Sequence, residues 1–153
     1  MNAGMAGEII IRPVKPADRA AWEPLWQGYL TFYKATLASE VTEATWRRFF
    51  DPLEHLGAFV AERDARLIGI AHYLLHRSTW APICYCYLED LFVSPSERGS
   101  GTGRALIAAV ESAARDAGAS RLYWTTHETN DTAQQLYNQV AERPGFIQYR
   151  KKF

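Results

Sequence analysis

The sequence predicts a mixed α/β fold, and three observations carry that prediction. Aromatic residues Trp22, Trp26, Tyr29 and Tyr33 recur at i, i+4, i+7 and i+11, which is one face of an early helix. Runs 57–62, 66–76 and 84–93 read as successive strands. From the third of these the order becomes β-α-β-α-β, a mixed layer arrangement and not a doubly wound sheet.

Taken in order, Glu8 to Arg12 is a short apolar strand stopped by Pro13 and Pro16. Asp18 falls in the first turn of the helix that follows, where a carboxylate suits the helix dipole. Pro24 is expected to limit where that helix begins. Thr42 reads as the N-cap of a second, short helix carrying Trp46, Phe49 and Phe50, which Asp51-Pro52 ends. Two strands then surround a turn at residues 63–65. In the next strand Tyr85, Tyr87, Glu89 and Leu91 alternate with Cys84, Cys86, Leu88 and Asp90, and Ser94-Pro95 closes it. If that strand is regular, Glu89 and Asp90 face opposite sides; a bulge would change this. Ala105, Leu106, Ala109, Val110, Ala113 and Ala117 have helical spacing with Gly118 as the stop. Residues 121–126 form the next strand, Asn130 opens a last helix with Ala133, Leu136, Tyr137 and Val140 on one face, and residues 146–149 read as a final strand.

Composition bounds the rest. The 153 residues match one domain of about 150 residues, so 1–153 is read as a single domain. With 48% apolar and 13% aromatic residues, disordered and low-complexity classes are excluded. Seventeen basic residues balance seventeen acidic ones, so neither nucleic acid nor a membrane surface is the expected partner. No apolar run reaches the roughly 18 residues of a membrane span, and Met1 to Glu8 lacks the basic start and apolar stretch of a signal peptide. A cytoplasmic protein is expected. The two cysteines, Cys84 and Cys86, sit on one strand face without a second pair at zinc spacing, and His72 and His76 lie in a strand. No metal is predicted.

The strongest local signal is Arg98-Gly99-Ser100-Gly101-Thr102-Gly103-Arg104, between a strand and an Ala-rich helix. Three glycines in five residues let successive backbone N–H groups converge, and the helix start adds positive potential, so a phosphate or pyrophosphate is the natural guest. Arg98 and Arg104 could balance its charge. The pattern is neither Walker A nor G-x-G-x-x-G. A flexible turn with no ligand is the alternative.

The neighbouring residues narrow this. Tyr87-Leu88-Glu89-Asp90-Leu91-Phe92-Val93, followed by Arg98-x-x-Gly101-x-Gly103, resembles the acetyl-CoA motif of the GCN5-related N-acetyltransferases (GNAT). Asn130, Ala133, Leu136 and Tyr137 are similar to a later signature of that family, and the resemblance covers nearly the whole chain. The first segment looks like the diamine acetyltransferase branch; 126–130 and 136–146 look like the histone/polyamine branch. One departure is a longer final loop: Gly145 follows Tyr137 by eight residues, where many members have four.

The resemblance implies a twisted, mixed, mostly antiparallel sheet of about seven strands flanked by four helices. It implies acetyl-CoA as cosubstrate, direct acetyl transfer to a primary amine (polyamine, amino acid or protein lysine) and a homodimer, with 138–145 a candidate contact. It assigns the backbone of Leu91, Phe92 and Val93 to the pantetheine arm and the acetyl carbonyl. Arg98, Gly99, Ser100, Gly101, Thr102, Gly103 and Arg104 would hold the pyrophosphate, and Asn130 would touch the cofactor near its thiol. Glu89 would be the base for the amine and Tyr137 the acid for the leaving thiolate. An alkylammonium of pKa near 10.4 is only about one part in 2,500 neutral at pH 7, so a base is useful.

Tyr33, with Trp26 and Tyr29, would lie near the acceptor if the early helices cover it; core packing is the alternative. His127 could assist proton transfer, or stand exposed on its loop. Cys84 and Cys86 have no base placed beside them for a nucleophilic role. The competing function is a non-catalytic acyl-CoA-binding regulatory module, since a fold does not by itself establish activity.

Overall fold

The computed structural model describes residues 6–153; Met1–Met5, part of the stretch read for a signal peptide, lie outside the described residues. The order is β1 (Ile10–Pro13), α1 (Arg19–Phe32), α2 (Ser39–Arg48), β2 (Leu56–Arg63), β3 (Arg66–His76), β4 (Cys84–Val93), α3 (Thr102–Asp116), β5 (Ala119–Tyr123) and α4 (Asp131–Val140). Five strands pair in the order β1-β2-β3-β4-β5 among the described residues. The first four are antiparallel, and β5 joins β4 in parallel through the α3 crossover. The mixed, mostly antiparallel class and the four helices agree with the sequence reading.

Two apolar layers cover the sheet. Trp22, Leu25, Trp26 and Leu30 of α1 pack with Trp46 of α2 against Val60, Ile70 and Phe92 on one face. On the other, Leu106, Ile107, Val110 and Ala114 of α3 pack on Ala61, Ile68, Ala71, Cys86 and Leu88. Every fourth or third residue of each helix points inward, as a period of 3.6 requires. An Arg12 bridge to both Asp18 (2.8 Å) and Glu62 (2.7 Å) ties β1, the following turn and β2.

Several boundaries differ from the sequence reading. β1 begins at Ile10, not Glu8. Pro24 does not delay α1, which starts at Arg19 after a 3-10 turn over Pro16–Asp18. A proline one and a half turns in removes a single helical N–H, and the buried Trp22 and Leu25 on either side offset that loss. Thr42 is not the N-cap of α2, which starts at Ser39 after Ala38. It is buried instead, and accepts the indole N–H of Trp26 at 3.1 Å. β5 occupies 119–123, not 121–126, because its pairing with β4 ends at Tyr87–Tyr123. Residues 146–149 form no strand: the whole of 141–153 is exposed without regular structure. Among the described residues the sheet therefore has five strands and not about seven.

The most consequential difference is in β4. Asp90 pairs with His72 and Leu88 with Tyr73, leaving Glu89 without a β3 partner. Cys86 and Leu88 face α3, yet Phe92 faces α1. The bulge at Glu89 thus switches which face alternate residues occupy. It also brings Asp90 to the α1 side.

Candidate active site

Beyond Tyr87 and Tyr123 the two parallel strands separate, so β4 from Leu88 to Val93 has no neighbouring strand on that edge among the described residues. A small cleft opens there, enclosing about 270 Å³ in part open to solvent. Glu89 and Leu91 of β4, Tyr29 and Tyr33 from α1 and its end, Trp124 beyond β5 and Tyr137 of α4 line it. The structure thus gathers Glu89, Tyr137, Tyr33 and Leu91 of the sequence-predicted residues. It adds Tyr29, left open between packing and acceptor roles, and Trp124, which nothing in the sequence marked. The tyrosine belonged to the aromatic face of α1; the tryptophan only had its place after a strand.

The electrostatics of the cleft are one-sided. Glu89 is its charged lining residue, with no Lys or Arg beside it. Enclosure by the walls and then the neighbouring Asp90 raise the Glu89 carboxyl above its ordinary value. Tyr137 packs edge-on to Trp124, ring centroids 5.4 Å apart. Burial, then Tyr33, push its phenol up to about 12, so the hydroxyl keeps its proton at neutral pH.

The glycine turn precedes α3. Gly99 and Gly101 have φ of +79° and +84°, a conformation that side chains resist, and open space stands where their Cβ atoms would be. Ser100 donates to the Glu97 carbonyl at 2.6 Å and lies 2.8 Å from the hydroxyl of buried Thr102, which braces the turn from within. Gly103 packs toward Leu136 of α4. The first-turn N–H groups of a 15-residue helix point out beside this opening. An anionic group fits such a cradle.

The charged and polar partners are dispersed. Arg98 donates its Nε–H to the Val93 carbonyl at 3.2 Å, and its guanidinium lies over the rings of Phe32 and Phe92. Arg104 bonds Gln139, joining α3 to α4. Phe92 is buried toward α1, while Val93 packs toward α3. Asn130 is the N-cap residue of α4 and donates to Thr126 at 3.1 Å; His127 bonds Thr129 at 2.7 Å. Neither lines the cleft. Among the described residues no group of three or more His, Cys, Asp or Glu could hold a metal, and no helix is long and apolar enough to cross a membrane.

The profile of the acetyltransferase (GNAT) family matches residues 21–141. The chain belongs to that family. It is an N-acetyltransferase, like the relatives it matches. A D-amino-acid N-acetyltransferase (HPA3) of Saccharomyces cerevisiae is 37% identical over 145 residues, covering 94% of this chain and 90% of its own. An aminoglycoside N(6')-acetyltransferase type 1 of Stenotrophomonas maltophilia is 32% identical, covering 73% and 71%. Among solved structures, the aminoglycoside N-acetyltransferase AAC(6')-Iy in complex with CoA superimposes with a TM-score of 0.82 at 23% identity, over 99% of this chain and 100% of that one. The fold of this acetyltransferase is therefore shared with a protein seen bound to CoA.

Proposed function

We propose that this N-acetyltransferase moves an acetyl group from acetyl-CoA directly to the primary amine of a small molecule. The observation that carries the reading is the convergence of Glu89 and Tyr137 on one cleft, at the point where β4 loses its neighbour and no cationic side chain stands. A bound acetyl-CoA supplies an activated thioester. The open turn at Gly99 and Gly101, with the start of α3 and the adjoining charge of Arg98, suits its pyrophosphate. The unpaired edge of β4 offers Leu91–Val93 backbone groups to its pantetheine arm, and one N–H to the carbonyl oxygen as negative charge develops there.

Glu89 takes a proton from the incoming ammonium, directly or through water, and its raised affinity for protons suits that task. The neutral nitrogen attacks the thioester carbon. As the C–S bond breaks, Tyr137 gives its proton to sulfur, and the second proton leaving nitrogen restores the phenol. A phenol held protonated at neutral pH is in the state this step needs.

The small cleft favours a free amine over a lysine on a folded protein surface. The names of relatives point the same way, to D-amino acids and aminoglycosides for those proteins. A homodimer belongs to the same reading: Phe146, Ile147, Tyr149 and Phe153 stand exposed on the terminal segment, apolar surface that a second copy would cover. The test is release of free CoA thiol from acetyl-CoA with a panel of polyamines, D- and L-amino acids, an aminoglycoside and a lysine peptide. Turnover with at least one small amine is expected. Cofactor binding without turnover on any amine would favour a binding module.

A further inference from the structure

Beside the cleft, on the sheet face away from α3, stands a group of side chains with no part in the acetyl transfer described above. Cys86, Leu88 and Leu122 pack toward α3, so the residues that alternate with them, Tyr85 and Tyr87 on β4 and Arg121 and Tyr123 on β5, take the opposite face. Strand pairing sets Tyr123 opposite Tyr87. The two rows lead to the cleft, which Glu89 and Thr125 line. The hydroxyls of Tyr87 and Thr125, 3.3 Å apart, join the rows to it. At the far end is a cation: the Arg121 guanidinium lies 3.9 Å from the Tyr85 ring centroid and 4.9 Å from that of Tyr123.

The rings beneath that cation are held in place. His76 Nδ1 stands 2.7 Å from the Arg77 carbonyl oxygen, which only accepts, so Nδ1 carries a proton. In the neutral imidazole Nε2 is then the acceptor, and the Tyr123 hydroxyl donates to it at 2.7 Å. Tyr87 packs against Tyr123 with ring centroids 4.9 Å apart, and Tyr85 is buried. Arg121 is exposed, and among the described residues it has neither a hydrogen bond nor a carboxylate partner. A guanidinium resting on ring faces keeps the N–H groups along its edge, the fork that a carboxylate fills with two parallel bonds. The acid of the site thus stands in the cleft and its cation outside. From Glu89 back to Tyr87 is one two-residue step, roughly 6–7 Å, and Arg121 leans over the ring opposite Tyr87, within the span of one small molecule.

We propose that Arg121 is a substrate-binding residue that takes a carboxylate of the acceptor, so that the preferred acceptors are amines that also bear a carboxylate, and not polyamines. The inference rests on the amine-acetyltransfer reading and deepens it. The ammonium of such an acceptor meets Glu89, its carboxylate pairs with Arg121, and the body between them lies on Tyr87 and Tyr123. Two anchors of opposite charge fix the direction in which the molecule enters, which leaves the nitrogen to be steered toward the acetyl carbon. A polyamine entering the same way brings a second ammonium against the Arg121 charge, which repels it.

The test uses the full chain, saturating acetyl-CoA, and each amino acid of the panel beside its carboxamide, which keeps the size and loses the charge. The quantity read is the acid-to-amide ratio of kcat/KM, compared between wild type and variant so that the different basicities of the two amines cancel. That ratio should be about 10-fold higher in wild type than in Arg121→Gln, the upper end for an exposed pair because the contact is bidentate. The change should lie in the KM of the acid, with acetyl-CoA affinity moving far less. Arg121→Lys, which keeps the charge without the planar fork, should fall between the two. It decides the question should Arg121→Gln fail to fold. A wild-type ratio in either variant overturns the inference. Wild-type turnover of polyamines with no amino acid acetylated also overturns it and leaves the amine-acetyltransfer reading standing; a wild type that acetylates no amine removes both.

Discussion

The glycine turn and the amine cleft adjoin one another along β4 but are assembled differently. The turn is seven consecutive residues, 98–104, shaped by positive φ at Gly99 and Gly101 and braced by Ser100 and Thr102. The cleft draws on α1, β4, the segment after β5 and α4, whose contributions lie as far apart as Tyr29 and Tyr137. A contiguous site depends on backbone conformation; a convergent one depends on the packing that brings its walls together. Substitutions should therefore separate the two regions, the turn governing cofactor affinity and the cleft governing chemistry.

The largest separation is expected from Tyr137→Phe. Loss of a general acid costs about 10²–10⁴-fold in turnover, while acetyl-CoA affinity by calorimetry should barely move, since the turn is untouched. Full turnover in this variant would end the acid role. Next comes the converse change, Gly101→Asp. A side chain forced to φ +84° beside a site for anions adds strain and like-charge repulsion. Cofactor affinity should fall about 100-fold, with circular dichroism unchanged. Unaltered affinity would break the assignment of the turn.

A smaller effect, about 10- to 100-fold near neutral pH, is expected of Glu89→Gln, and it carries a sign. The base works when ionised, so wild-type kcat/KM should climb as pH rises through the Glu89 carboxyl, on a limb lying above the ordinary glutamate value of 4.5 because enclosure and Asp90 raise it. The variant loses that limb and follows the deprotonation of the amine alone. Above the amine's own pKa, about 10.4, the two profiles should converge. Identical profiles throughout would leave Glu89 as a binding residue only.

The smallest effect should come from deleting 143–153. Those residues are exposed, so an isolated copy should lose less than about 0.5 kcal/mol. The mass by light scattering should fall from two copies to one, as the proposed dimer contact requires; a truncated chain that keeps the mass of two copies would remove the terminal segment from that contact.

What was legible from residues alone follows the same division. The strand–glycine turn–helix unit, the aromatic face of α1 and the α4 face bearing Tyr137 are local patterns, and each element formed near where its spacing placed it. Ends governed by long-range contacts were misjudged. Thr42 looks like a cap by residue type, yet the indole of Trp26, sixteen residues away, claims its hydroxyl inside the core. Residues 146–149 carry a strand-like apolar run, but a strand exists only if an edge pairs with it.

The sequence by itself determined the class of fold, the glycine turn between β4 and α3 and the residue types suited to acetyl transfer, because these depend on periodicity and on chemistry within a few positions. Tertiary structure alone decided that Glu89 bulges from β4, that Asp90 turns to the α1 side, and that His72, itself bonded by Trp22, holds it there. Those outcomes rest on which groups can satisfy one another's hydrogen bonds once α1 is pressed onto the sheet. Trp22 and His72 are fifty positions apart, and only packing makes them neighbours.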